Sequence, residues 1–117
     1  MNIEDFRDYC ISKKGVTEEF PFDKNTLVFK VMGKMFALAD VETFEFINLT
    51  SDPEKAIELR EKFQGIKPGY HMSKVHWNSV YVNTDVDDKL VLELIDESYH
   101  LIVASLTKKI KEELKQL

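Results

Sequence analysis

Residues 26–39 read Thr-Leu-Val-Phe-Lys-Val-Met-Gly-Lys-Met-Phe-Ala-Leu-Ala, and this stretch constrains the fold more than any other. β-Branched and aromatic residues favour extended backbone. The two runs are interrupted by only two residues, Gly33-Lys34, and a glycine at the first central position suits a type II′ turn. The spacing predicts an antiparallel hairpin with strands at 26–32 and 35–39. A parallel pairing is excluded, because a parallel crossover needs a dozen residues or more.

The other elements are read outward from that hairpin. Asn2 caps a first helix, with Asp5 three residues on; Ile3, Phe6 and Cys10 form its apolar stripe, and Gly15 ends it. Residues 16–23 read as a linker closed by Pro21. A third strand is expected at 44–49. Ser51 or Asp52, Pro53 and Gly65 delimit a second helix with Ala56, Leu59 and Phe63 on its buried side. After Pro68-Gly69, residues 70–72 and 77–82 read as two strands joined by a loop at 73–76. From Asp85 the pattern is helical to the end, with acids crowding its start and lysines its finish, as the helix dipole favours. That is long for one globular helix, so a break is expected near Ser98 or Thr107. Helices on an antiparallel sheet make the class α+β, as one domain over 1–117, with Phe6, Phe29, Phe63 and Leu94 in the core.

A chain of 117 residues with a 44% hydrophobic fraction can bury such a core without a disulfide or metal staple. The lone cysteine, Cys10, allows no intrachain disulfide and fits a reducing compartment. The first residues lack the pattern of a signal peptide, and no apolar run approaches a membrane span. The expectation is a cytoplasmic monomer with no membrane partner.

The motifs of phosphate cradles, dinucleotide folds and nucleophile elbows are missing. His71, His76 and His100 match no zinc spacing. Asp85, Asp87 and Asp88 lack the glycine and later glutamate of a calcium loop. The adjacent acids Glu18-Glu19 and Asp96-Glu97 read as solvated surface. These readings point to a protein that is not an enzyme and uses no cofactor or metal.

Net charge is −5, which argues against coating nucleic acid by charge alone. The acids are unevenly spread, however. Lys24 to Ala39 contains none and carries Lys24, Lys30 and Lys34; Gln64 to Thr84 contains none and carries Lys67, His71, Lys74 and His76. Strand composition alone gives the same pattern, since Asp and Glu are poor strand formers. Tyr70, His71, Lys74, His76 and Trp77 combine cations and aromatics, which suits phosphate contact with base stacking. Trp77 equally suits a core anchor at the start of an apolar strand.

Four segments together resemble the MmcQ/YjbR family, in order and over nearly the whole chain. They are Gly15-Val16-Thr17-Glu18 with Pro21-Phe22; Lys30-Val31-Met32-Gly33-Lys34-Met35-Phe36-Ala37; Pro68-Gly69-Tyr70-His71-Met72-Ser73-Lys74-Val75-His76-Trp77; and Leu94-Ile95-Asp96-Glu97-Ser98-Tyr99. The resemblance implies a frataxin-like (CyaY-like) fold with a twisted antiparallel sheet packed against helices. It also implies DNA binding through two β-hairpin wings. In this chain the wings would be 26–39 and 70–82, which coincide with the acid-free segments. Their contacts would be Lys30, Lys34, Lys67, His71, Lys74, His76 and Trp77. Ser73 and Val75 stand where the family usually has an asparagine and a basic residue, which lowers the loop charge. Two other functions stay open: a protein-interaction or regulatory domain without nucleic acid, and a frataxin-like metal binder with Glu4, Asp5 and Asp8 as its acidic ridge.

Overall fold

The computed structural model describes residues 1–117. Along the chain run α1 (Ile3–Ile11), β1 (Val16–Glu19), β2 (Thr26–Val31), β3 (Lys34–Asp40), β4 (Phe46–Thr50), α2 (Pro53–Lys62), β5 (Ile66–Pro68), β6 (Trp77–Tyr81), α3 (Asp88–Ser105) and α4 (Lys108–Lys115). The strands form one sheet in the order β1-β2-β3-β4-β6-β5, with every neighbouring pair antiparallel. This is the expected α+β class.

Strand side chains alternate between faces. Leu27, Phe29, Val31, Ala37, Ala39, Ile47, Leu49, Ile66 and Val80 point to one face and pack against Phe6 and Cys10 of α1, Leu59 of α2, Val91, Leu94, Ile95 and Tyr99 of α3, and Leu114 of α4. All four helices therefore lie on the same side of the sheet. Phe6 meets Phe29 edge-on at 5.3 Å between ring centroids, which ties α1 to the sheet. Cys10 is fully buried in this cluster, and burial raises its thiol pKa, opposed only in part by Lys13. It is a small core residue, not a nucleophile.

The hairpin turn falls one residue earlier than Gly33-Lys34. Val31 pairs with Lys34, and Met32 and Gly33 both have positive φ, 50° and 86°. That is the type I′ geometry, whose twist matches the flanking strands better than the splayed alternatives. Met32 holds the left-handed conformation because its amide bonds the Gly15 carbonyl at 3.1 Å and its side chain packs on the core.

Within the same hairpin Phe29 pairs with Ala37 but Lys30 pairs with Met35, so Phe36 is an extra, bulged residue. The bulge turns Phe36 inward to meet Tyr99 edge-on at 5.4 Å. Fully buried Ser98 of α3 stitches it in place. Its hydroxyl donates to the Phe36 carbonyl at 2.5 Å and accepts from the Thr50 amide at 3.0 Å. Ser98→Ala leaves both backbone groups without that partner, and a loss of about 1–3 kcal/mol is expected in urea unfolding. A change near zero would mean that water takes over the hydroxyl's role.

Several sequence expectations need correction. Residues 16–19 are not linker but the edge strand β1, paired with β2 from Val16↔Val31 to Glu19↔Val28. Two adjacent glutamates disguised it; an edge tolerates them, and both are paired. Arg7 holds Glu18 through two 2.8 Å bonds, and Lys30 pairs with Glu19. The strand expected at 70–72 lies instead at Ile66–Pro68, where an edge position accepts the proline. Tyr70 to Met72 turn away from the ladder, with His71 in a left-handed conformation at φ 58°. Phe63 is only partly buried. As the C-cap of α2 it is already extended, at φ −121° and ψ 130°, and so leaves the helical stripe. The last helical region starts at Asp88, because Asp87 caps it; Asp85 instead accepts the amides of Gln64 and Gly65, each at 2.7 Å. Of the two expected break points, Thr107 is the one used, and its side chain caps α4.

The helices α1 and α3 are locked together by Asp96, which accepts from the Tyr9 hydroxyl at 2.7 Å and pairs with Lys13. Burial alone would raise the Asp96 pKa. The bonds from Lys13 and Tyr9, with the charges of Lys13 and His100, outweigh it and hold the carboxyl below its ordinary value. The same bond, aided by burial and by the Asp96 charge, pushes the Tyr9 phenol up to about 12. The lock thus contributes full stability from above the ordinary carboxyl range up to the ordinary phenol range. It is lost in acid as pH falls through the lowered Asp96 value, and in alkali as pH rises through the raised Tyr9 value. An ultraviolet phenol titration should therefore show Tyr9 ionising late, and Asp96→Asn should return it toward an ordinary phenol. An unchanged titration in that variant would contradict the assignment.

Candidate nucleic-acid interface

The sheet face opposite the helices is also covered, by loops. Val28, Leu38, Asn48 and Ser79 lie in one cross-strand row on that face, and all four are buried although none belongs to the helical core. A closed ring of hydrogen bonds holds the loop at 69–76 over them. The Tyr70 amide donates to Ser79 Oγ at 2.9 Å, Ser79 donates to Asn48 Oδ1 at 2.5 Å, and Asn48 Nδ2 donates to the Tyr70 carbonyl at 3.2 Å. Gly69 lets the loop start where it does. Its amide bonds the Trp77 carbonyl at 2.9 Å, and a Cβ there would sit 2.8 Å from Trp77 Cβ and 2.9 Å from that carbonyl oxygen. Backbone cannot yield cheaply at such distances.

The return of the loop is equally fixed. The His76 carbonyl accepts from the Ser51 amide at 2.8 Å and from Thr50 Oγ1 at 3.0 Å. Arg60 of α2 donates to the Lys74 carbonyl at 3.0 Å. These bonds place His76 and Trp77 beside the turn of the β2–β3 hairpin. Between them runs an open groove of about 770 Å³, walled by Lys30, Lys34 and Met35 of the hairpin, His76 and Trp77, Phe22, and Leu101, Ile102 and Ser105 from the end of α3.

Of the seven sequence-predicted contacts, four meet there: Lys30, Lys34, His76 and Trp77. Lys34 is exposed and its ammonium touches only Ser105 Oγ, at 2.9 Å; His76 is exposed and Trp77 half-buried. Lys30 reaches the groove already paired with Glu19. The other three are elsewhere. Lys74 folds back, its ammonium donating to the Gly69 carbonyl at 3.0 Å. Lys67 sits on edge strand β5 with its ammonium 5.5 Å from the Tyr81 ring centroid. His71 lies on the far side of the loop, 4.0 Å from the Tyr70 ring centroid, and lines a separate cavity.

The groove has opposing electrostatic contributions. The N-terminus of α2 opens into it, and Asp52 makes no side-chain cap, so first-turn amides add positive potential. The Asp52 carboxylate lines the same groove and offsets it. Sequence reasoning missed Phe22 and Arg60. Phe22 had a signal, being a large aromatic in a polar, proline-containing linker; it is 64% exposed. Arg60 had none, because the loop it braces is remote in sequence. No three His, Cys, Asp or Glu residues lie where they could share a metal ion, so Glu4, Asp5 and Asp8 do not form a cation cluster with one another. No helix is long and apolar enough to cross a membrane.

Comparison with known proteins gives the chain its relatives. The YjbR family model matches residues 11–101. The uncharacterised protein YbdF of Escherichia coli O157:H7 is 42% identical over 91 residues, 77% of this chain and 75% of YbdF. The uncharacterised protein YjbR of Escherichia coli K12 is 30% identical over the full length of both chains. Among solved structures, a Deinococcus radiodurans protein with a DUF419 domain superposes with a TM-score of 0.90 at 39% identity, covering 97% of this chain and 88% of its own. A Pseudomonas syringae protein superposes with a TM-score of 0.74 at 32% identity, covering 86% and 98%. The hairpin, the braced loop and the end of α3 that build the groove lie within or beside the matched span, and this chain belongs to the YjbR family.

Proposed function

We propose that this protein is a non-catalytic DNA-binding module and that the groove beside Trp77 receives the nucleic acid. One observation carries the reading. The two acid-free segments, far apart in sequence, converge on a single groove, where the first hairpin supplies Lys30 and Lys34 and the second supplies His76 and Trp77. Cations at the rim with one half-exposed indole suit a backbone phosphate and an unstacked base, which favours single strands over intact duplex. The β2–β3 hairpin is flanked by β1 and β4, so the wing it offers is its turn and the Lys30–Lys34 side, not a free-standing arm. Acidic Glu4, Asp5 and Asp8 of α1 and Asp88 and Glu93 in the first half of α3 lie on the helical layer and disfavour nucleic acid there, whereas only the far end of α3, at Leu101, Ile102 and Ser105, reaches the groove.

Fluorescence anisotropy with labelled single-stranded and duplex DNA, at low and near-physiological salt, tests this. Binding should be tighter for the single strand and fall with salt, by about 0.7 units of log affinity per log salt for each phosphate contacted. Absence of binding at low salt would end the proposal.

A second reading has its own observation. Phe20, Phe22, Tyr70 and Val75 are all about half or more exposed, between 48% and 64%. Exposed large apolar side chains that gather mark protein-contact surfaces, and Phe22 and Tyr70 line one cavity. On that reading the loop-covered face docks a protein, and the same anisotropy experiment gives no DNA response.

A further inference from the structure

We propose that the cavity on the far side of the 69–76 loop is a receptor for an organic cation, an alkylammonium or guanidinium group. The cavity holds about 390 Å³ and shares only Phe22 with the groove described above. Its size lies within the range of small-molecule sites and fits a group as large as an arginine side chain.

Two features of its lining select that chemistry. The first is aromatic. Phe22, Phe46 and Tyr70 line it; Phe46 and Tyr70 meet edge-on with centroids 5.9 Å apart, and Tyr70 remains 58% exposed. Ring faces attract cations through their quadrupoles, most strongly where water is partly excluded. Leu38, almost fully buried, and Met72 supply apolar surface that excludes it.

The second feature is charge. Asp23 and Asp40 line the cavity, and neither is in an ion pair. No lysine or arginine lines it. Both carboxylates are held in place by turns. Asp23 accepts the amides of Asn25 and Thr26 at 2.8 and 2.7 Å, and Asp40 those of Glu42 and Thr43 at 2.8 and 3.0 Å. The amide bonds from Thr26 and Asn25 keep Asp23 below the usual carboxylate range, so it stays charged. Asp40 spends only Oδ1 on its turn, which leaves Oδ2 without a hydrogen-bond partner in the protein. Two turn-held carboxylates without an ion-pair partner thus share one cavity with the exposed residues Phe22 and Tyr70, and His71 is the only basic side chain in its lining. The ring of bonds through Asn48, Ser79 and the Tyr70 backbone pre-forms the site by holding Tyr70 over it.

The test is a titration of the ¹⁵N-labelled protein, followed by amide shifts, with choline, agmatine, an acetylated arginine-containing tripeptide amide, and 3,3-dimethylbutanol, the neutral isostere of choline. The cations should give saturable shifts at Asp23, Thr26, Asp40, Tyr70 and His71, and the neutral alcohol should not. A tighter response to the tripeptide would assign the cation to a partner protein's side chain, and a tighter response to choline or agmatine to a free amine. Asp40→Asn keeps the turn acceptor and should weaken binding about tenfold, as loss of one charged partner implies. If that variant loses its folded spectrum, Phe46→Leu takes its place with the same expectation. No saturable shift with any cation, an equal response to the alcohol, or undiminished binding by the folded variant would overturn the proposal.

Discussion

Phe29→Ala is expected to cost about 3–5 kcal/mol, the usual range for emptying a fully buried phenylalanine site. Phe29 has no exposed surface, lies in β2 inside the sheet, and carries the edge-on contact to Phe6 that fastens α1. Its removal takes away apolar contact on both sides, and neither the hydrogen-bonded sheet nor α1 can collapse freely into the space. Against a typical domain stability of 5–15 kcal/mol, the variant keeps little reserve. Phe63→Ala should cost clearly less, because that ring is only partly buried at the end of α2. Denaturant unfolding of the two variants decides it; equal losses, or a Phe29 loss below about 1 kcal/mol, would show the core to be misassigned.

The contrast between these two phenylalanines shows what the sequence could reveal. Periodicity placed Phe6, Phe29 and Leu94 correctly, because each lies in the interior of an element where the repeat holds. It failed for Phe63, where the backbone leaves the helix one residue before the apolar stripe ends. The hairpin was legible from composition, but its turn was not. A Met-Gly turn of type I′ depends on Met32 finding a place in the core and a bond to the Gly15 carbonyl, and both are tertiary facts. Strand β1 was hidden because its glutamates are paired by Arg7 and Lys30, partners that only the folded chain brings near. The site was legible as residue types and not as geometry. Lys30, Lys34, His76 and Trp77 were named from their acid-free segments, yet nothing local announced that Lys74 would turn back onto the Gly69 carbonyl. Nor did it announce that Lys67 would lie on the outer strand.

The largest functional effect is expected at Lys34. It is the exposed lysine of the groove that carries no carboxylate partner, so Lys34→Glu removes the freest charge and adds repulsion. A charged hydrogen bond contributes about 1.5–3 kcal/mol, and DNA affinity at low salt should fall about 10- to 100-fold. Unfolding stability should hardly change, since an exposed lysine contributes little. Glu19→Gln should act in the opposite direction. It releases Lys30 from its pair, so binding tightens and the salt dependence steepens. A structural explanation of the Lys34 result would not predict that gain. If Glu19→Gln leaves affinity unchanged, Lys30 is not a contact.

Trp77 offers the most direct measurement, because it is the only tryptophan in the chain and lines the groove itself. Its emission should change saturably as single-stranded DNA is added at low salt. The midpoint should match that from anisotropy, shift with salt, and move to higher concentration in Lys34→Glu. Anisotropy that reports binding while Trp77 emission stays flat would place the nucleic acid on another surface, and a flat response in both would contradict DNA binding by this protein.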